Sequence, residues 1–144
     1  MRIVVQRVSQ ASVTVNGQVI GKIGRGLVLL IGIREGDSAN DLEFWADKCI
    51  HLRIFEDQDK KMNLSLLDIG GEILAVSQFT LYADVSKGRR PNFLAAAKPD
   101  VAEPLYNGFV KALKSKGVRV AEGIFGAMME VQIHNSGPVT IILE

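Results

Sequence analysis

At 144 residues the chain makes one domain, residues 1–144, with enough interior for a sizeable core. Its 47% hydrophobic and 23% charged residues exclude a disordered chain, and a net charge of +1 excludes a global field drawing it onto nucleic acid. A single cysteine, Cys49, excludes an internal disulfide framework and offers no zinc set.

The opening Met1-Arg2-Ile3-Val4-Val5-Gln6-Arg7 breaks its apolar run before any leader forms, and the longest such run, Leu27–Ile31, is far too short to cross a bilayer. A soluble cytoplasmic protein with no membrane contact is expected. Alternation predicts a strand over Arg2–Val8, with Val8 out of phase, and a second over Ala11–Val15. Asn16-Gly17 is a hairpin signal returning the chain as Gln18–Ile23. Leu27–Ile33 reads as a strand buried on both faces.

Asp37 or Ser38 can cap a helix from Ala39 to about Leu52, with Leu42, Trp45, Ala46, Cys49 and Ile50 on one stripe. Cys49 lies on that stripe and reads as a buried structural thiol, and His51 as a helix-end residue meeting the last carbonyls. Short strands are expected at Arg53–Phe55 and Asn63–Leu67, around a solvated charged turn at Glu56–Lys61 that lacks the ligand order of a calcium loop. After the turn Asp68-Ile69-Gly70-Gly71, Glu72–Val76 reads as a strand that runs on into the polar end Ser77–Asp84. Lys87-Gly88-Arg89-Arg90-Pro91 is a basic loop, Val101–Lys116 an amphipathic helix ended by Gly117, and Val118–Ala121 a strand. Met128–Leu143 reads as a last strand interrupted by Gly137-Pro138. Strands dominate and the two main helices do not alternate with them, which predicts an α+β fold: a largely antiparallel sheet or partial barrel with both helices on one side.

The interruption has two readings. Asn135-Ser136-Gly137-Pro138 is ordinary chemistry for a turn between two short strands. It also suits a rigid main-chain element aimed at a ligand, because Gly leaves its peptide groups unshielded and Pro fixes φ; the isomer of the bond stays open. No Ser-His-acid set, nucleophile elbow, phosphate loop or metal set is present, and neither cofactor nor metal is expected. What remains is the polar stretch Ser77, Gln78 and Thr80, the Gly-Pro element and the basic loop, a set suited to catalysis by main-chain amides.

Ser77-Gln78-Phe79-Thr80-Leu81, Lys87-Gly88-Arg89-Arg90-Pro91-Asn92-Phe93 and Asn135-Ser136-Gly137-Pro138-Val139-Thr140, with the opening Met1–Val8 and Ala11-Ser12-Val13, resemble the D-aminoacyl-tRNA deacylase family over essentially the whole chain. The resemblance implies a homodimer that hydrolyses the ester between a D-amino acid, or glycine, and the terminal adenosine of tRNA. In that family the Gly-Pro bond is cis and one subunit's loop enters the active site of the other. Carried over, Gly137 and Pro138 form the chirality filter, Arg7 braces it, and Ser77, Gln78, Phe79 and Thr80 form the catalytic stretch.

By the same resemblance Phe79 and Met129 lie near the adenosine, while Lys87, Arg89 and Arg90 contact acceptor phosphates. Two mechanisms stay open. Thr80 attacks the ester, or amides near Gln78, Phe79 and Thr80 hold the oxyanion while the ribose 2′-hydroxyl assists water. The alternatives to the D-specific enzyme are a relative that edits L-alanyl-tRNA with a trans Gly-Pro bond, and a non-catalytic dimer that binds tRNA ends.

Overall fold

The computed structural model describes residues 1–144. Its central element is β1, Arg2–Val15, one strand where the sequence suggests two. The out-of-phase Val8 marks a bulge, not an end: the register against the last strand, β8 (Glu130–Leu143), shifts on both sides of Val8, and Arg7 and Val8 are both buried. The two halves of β1 serve different antiparallel neighbours on one edge. Arg2–Val8 pairs β3 (Gly26–Gly32), and Ala11–Val15 pairs β2 (Gln18–Ile23). The other edge carries β8 along its length. The hairpin joining β1 to β2 turns on Asn16 at φ 49° and Gly17 at φ 78°, the left-handed pair that an Asn-Gly turn supplies.

Beyond β3 the sheet continues in parallel through β6 (Glu72–Ser77) and β7 (Val120–Glu122). The expected antiparallel character therefore holds around β1 and gives way here, because the β3-to-β6 and β6-to-β7 connections run through helices. The sheet curls until β2 meets β7, nearly closing a barrel: a Cβ on Gly21 would stand 2.8 Å from the Glu122 carbonyl. Arg119 fastens the seam, donating to the Lys22 carbonyl at 3.1 Å and pairing with Glu72.

Two apolar layers follow from the pleat. Val13, Ile23, Val28, Leu74 and Val76 fill the barrel, while Leu27, Leu29, Ile31, Ile73 and Ala75 face the helices. The run Leu27–Ile31 is continuous because each face has its own core. Against it pack α1 (Leu42–His51) and α3 (Pro99–Ser115), so close that a Cβ on Gly108 would lie 2.9 Å from Leu42 Cδ1. Cys49 is fully buried on the inner face of α1, and burial pushes its thiol pKa up to about 12. Tyr106 is also buried and donates to the Ala75 carbonyl at 3.0 Å.

Several boundaries move for local reasons. The expected helix start at Ala39 is a single 3-10 turn capped by Ser38, while Asp37 accepts from Arg34 N and the Met1 amino group, each at 2.7 Å. The pair expected at Arg53–Phe55 and Asn63–Leu67 is the small ribbon β4 (Phe55–Glu56) and β5 (Met62–Leu64). The chain then turns at Ser65, whose hydroxyl accepts from Asp68 N at 3.1 Å while Asp68 accepts from Ser65 N at 2.8 Å. That reciprocal cap starts the helical turn α2 (Leu66–Ile69) where a strand was expected. Asp57 Oδ1 accepts from Asp59 N at 2.8 Å and Lys61 N at 3.0 Å, so its charge organises the turn. No helix is long and apolar enough to cross a membrane.

Candidate active site

The polar stretch after β6 is not a strand end. β6 stops at Ser77, which pairs with Ile31, and Gln78 N donates to the Ile31 carbonyl at 2.8 Å. Phe79–Tyr82 then form a 3-10 turn, with Leu81 N donating to Gln78 O at 3.2 Å and Ala83 N to Thr80 O at 3.0 Å. The first amides of such a turn have no partner within it, so the N–H groups of Phe79 and Thr80 are not spent on the turn's own bonds. Gly32 is needed beneath: a Cβ there would lie 3.1 Å from Leu81 Cβ and 3.2 Å from the Tyr82 ring.

Thr80 Oγ1 accepts from Gln78 Nε2, and no base touches it. Of the two histidines, His134 meets Gln10 Nε2 at 3.3 Å on the outer face of β8, and His51 meets the Asp47 carbonyl at 3.0 Å. Phe79 is 53% exposed and packs edge-on against Phe93, ring centroids 5.0 Å apart. Between them Asp84 and Asn92 exchange backbone bonds of 2.8 and 3.0 Å, which closes the basic loop and leaves Lys87, Arg89 and Arg90 exposed at its tip. Met129 joins the same end: it packs where a Gly123 Cβ would stand, and Gly123 N donates to the Ala75 carbonyl at 3.2 Å, two residues before Ser77.

The Gly-Pro element is neither a hairpin turn nor the end of β8. Gln6 pairs with Thr140 and Val8 with Asn135, so Ser136, Gly137, Pro138 and Val139 together stand opposite Arg7 alone. The side chains of the motif hold this excursion. Asn135 Oδ1 accepts from Val139 N at 2.8 Å, and its amide donates to Thr140 Oγ1 at 3.1 Å, which also accepts from Gln6 at 3.2 Å. Val139 is buried in the core, whereas Gly137 and Pro138 are exposed. The Gly137–Pro138 bond is cis and Gly137 has φ 132°. From beneath, Arg7 donates through Nε to Ser136 O at 2.9 Å and through Nη1 to Ile54 O at 2.7 Å. Arg7 thus touches the loop directly through the Ser136 carbonyl. The staple made by Asn135 was missed at the sequence level, although Asn four residues before a main-chain N–H is recognisable capping chemistry.

The two halves do not meet within one chain. Ser77 stands beside Ile31 and the excursion beside Arg7, which pairs with Leu27. Four residues along β3 amount to about 13 Å, and three strand spacings from β8 to β6 to about 14 Å. A cleft of about 510 Å³ between Arg2, Arg34, Trp45 and Tyr82 touches the 3-10 turn only through Tyr82.

The comparisons agree with this architecture. Residues 4–144 match the model of the D-Tyr-tRNA(Tyr) deacylase family. A D-aminoacyl-tRNA deacylase of Geobacillus sp. (strain WCH70) is 62% identical over all of this chain and 95% of its own length, and one of Thermus aquaticus is 58% identical over the same shares. Among solved structures, a c-Myc DNA unwinding element binding protein is 47% identical at a TM-score of 0.93, covering 100% of this chain and 98% of that one. A probable eukaryotic D-amino acid tRNA deacylase, 24% identical at a TM-score of 0.84 over 99% and 97% of the two chains, shares the fold. The α+β barrel and these likenesses define the class: a hydrolytic enzyme, a deacylase. Within that class the chain belongs to the D-Tyr-tRNA(Tyr) deacylase family.

Proposed function

We propose that this chain hydrolyses the ester joining a D-amino acid, or glycine, to the terminal adenosine of tRNA, as a homodimer in which each Gly137–Pro138 loop completes the partner's active site. The observation that carries this reading is the separation of two exposed halves. A motif braced from below by Arg7 and stapled by Asn135 presents its main chain to empty space, and the polar turn at Ser77–Thr80 lies at the far end of the same strands. A second copy supplies what one copy lacks.

The chemistry follows from what the turn offers. The ester carbonyl docks against the amides of Phe79 and Thr80, which stabilise the negative charge as water adds. The terminal 2′-hydroxyl assists that attack, the carbon–oxygen bond to the ribose breaks, and the proton passes to the departing 3′-oxygen. Thr80, bonded to Gln78 and without a base, does not attack. The carbonyls of Gly137 and Pro138 meet the amino group and Cα hydrogen of a D-aminoacyl group, while an L side chain collides with them. Steric rejection discriminates further than one missing contact would, and glycine, lacking a side chain, passes. Phe79 and Met129 flank the adenosine, and Lys87, Arg89 and Arg90 contact acceptor phosphates without reading sequence.

Incubation with D-tyrosyl-tRNA and L-tyrosyl-tRNA tests the reading. Rapid loss of the D-ester alone is expected. Hydrolysis of L-alanyl-tRNA instead would favour the L-editing alternative. Retention of every ester, with binding intact, would favour a nucleic-acid-binding module, the role suggested by the name of the 47% identical relative.

A further inference from the structure

The underside of the Gly-Pro excursion holds a cation without a counter-ion. Arg7 is only 8% exposed, yet no carboxylate lies within 4.0 Å of its guanidinium. Two of its five N–H groups are spent on the Ser136 and Ile54 carbonyls. Neutral dipoles soften a buried charge but do not cancel it, and an ion taken out of water without its opposite is costly.

Beside Arg7 opens a cavity of about 250 Å³, lined also by Ser9, Arg25, Phe55, Glu56 and Ser136. Arg25 lies over the Phe55 ring, 5.4 Å from its centroid, and likewise has no carboxylate within 4.0 Å. Glu56 shares the cavity but pairs with neither arginine, so two positive charges face one negative charge. A lining that includes two arginines and two serines suits a tetrahedral oxyanion, which offers several oxygens to such donors.

We propose that this cavity binds a phosphate group between Arg7 and Arg25. The site goes beyond the deacylase reading and requires no reaction to occupy it. Because Arg7 also donates to the Ser136 carbonyl, a bound phosphate and the Gly137–Pro138 excursion share one side chain, and occupancy stiffens the loop from beneath. The phosphate belongs either to a tRNA backbone or to free inorganic phosphate.

Calorimetric titration of the whole protein with inorganic phosphate at low ionic strength tests the site. One saturable site per chain is expected. Arg25→Gln should weaken it by about tenfold or more, the loss of a charge-assisted contact, and Glu56→Gln should tighten it. Circular dichroism verifies that both variants fold. Absence of saturable binding in the unmodified protein, or equal binding by all three proteins, overturns the proposal whether or not the protein deacylates anything. Kinetics then separate the sources. If the phosphate is the tRNA's, Arg25→Gln raises KM for D-tyrosyl-tRNA several-fold and spares D-tyrosyl-adenosine; if it is free phosphate, the variant changes the titration and treats both esters alike.

Discussion

In the mechanism proposed above, Thr80 and Gly137 carry most of the weight at the scale of single residues, and both act through the main chain. Thr80→Ala keeps the amide, so kcat/KM for D-tyrosyl-tRNA should fall by less than about tenfold; a loss approaching the ~10²–10⁴ expected of a missing acid–base or nucleophilic group would restore Thr80 as the attacker. A terminal 2′-deoxyadenosine should slow hydrolysis, and an unaltered rate would remove the substrate hydroxyl from the mechanism. Gly137→Ala puts a methyl 2.8 Å from Arg7 Nη2 and 2.9 Å from Val139 Cγ2 at a φ of 132° that L-residues rarely adopt. The variant should hydrolyse L-tyrosyl-tRNA measurably, as the loop shifts from its place. Cys49, with a thiol pushed up to about 12 by burial, should resist a disulfide reagent at pH 8 until denaturant is added. Its burial was legible from the helical stripe alone. The staple at Asn135 was not, because a side chain that bonds its own loop leaves no periodicity to detect.

Secondary-structure elements were legible in proportion to how much of their pattern was local. The Asn16-Gly17 hairpin, the doubly buried β3 and helix α3 each announce themselves within a dozen residues, and each is present. The failures have a common cause in competing short-range bonds. Ser65 and Asp68 convert an expected strand into a helical turn, and the stretch after Ser77 coils through the local bonds from Leu81 N to Gln78 O and from Ala83 N to Thr80 O. Ser65→Ala removes the cap of α2 and should cost about 1 kcal/mol in urea unfolding. Hydrogen bonds from Ser65 hold the Asp68 carboxyl below the usual carboxylate range. A group depressed on folding stabilises above its unfolded pKa and loses that contribution as pH falls through the folded one. The stability gap between the parent and Asp68→Asn should therefore narrow below about pH 4, and a constant gap would contradict the reciprocal cap.

For the molecule as a whole, the barrel sets the distance between the Ser77–Thr80 turn and the Gly137–Pro138 loop. The α+β class was readable from the order of elements, but the parallel β3–β6–β7 half was not, since pairing direction depends on where helices return the chain. Likewise Ser77–Thr80 and Gly137–Pro138 were recognisable as motifs, while their placement at opposite ends of the sheet required the register. With one chain unable to bring them together, the function proposed above requires association of two copies. The most direct measurement follows D-tyrosyl-tRNA and L-tyrosyl-tRNA hydrolysis against protein concentration, with sedimentation velocity on the same samples. The account predicts that D-ester hydrolysis and its preference over the L-ester rise together with the dimer fraction; a monomer that destroys the D-ester and spares the L-ester at every dilution would contradict it.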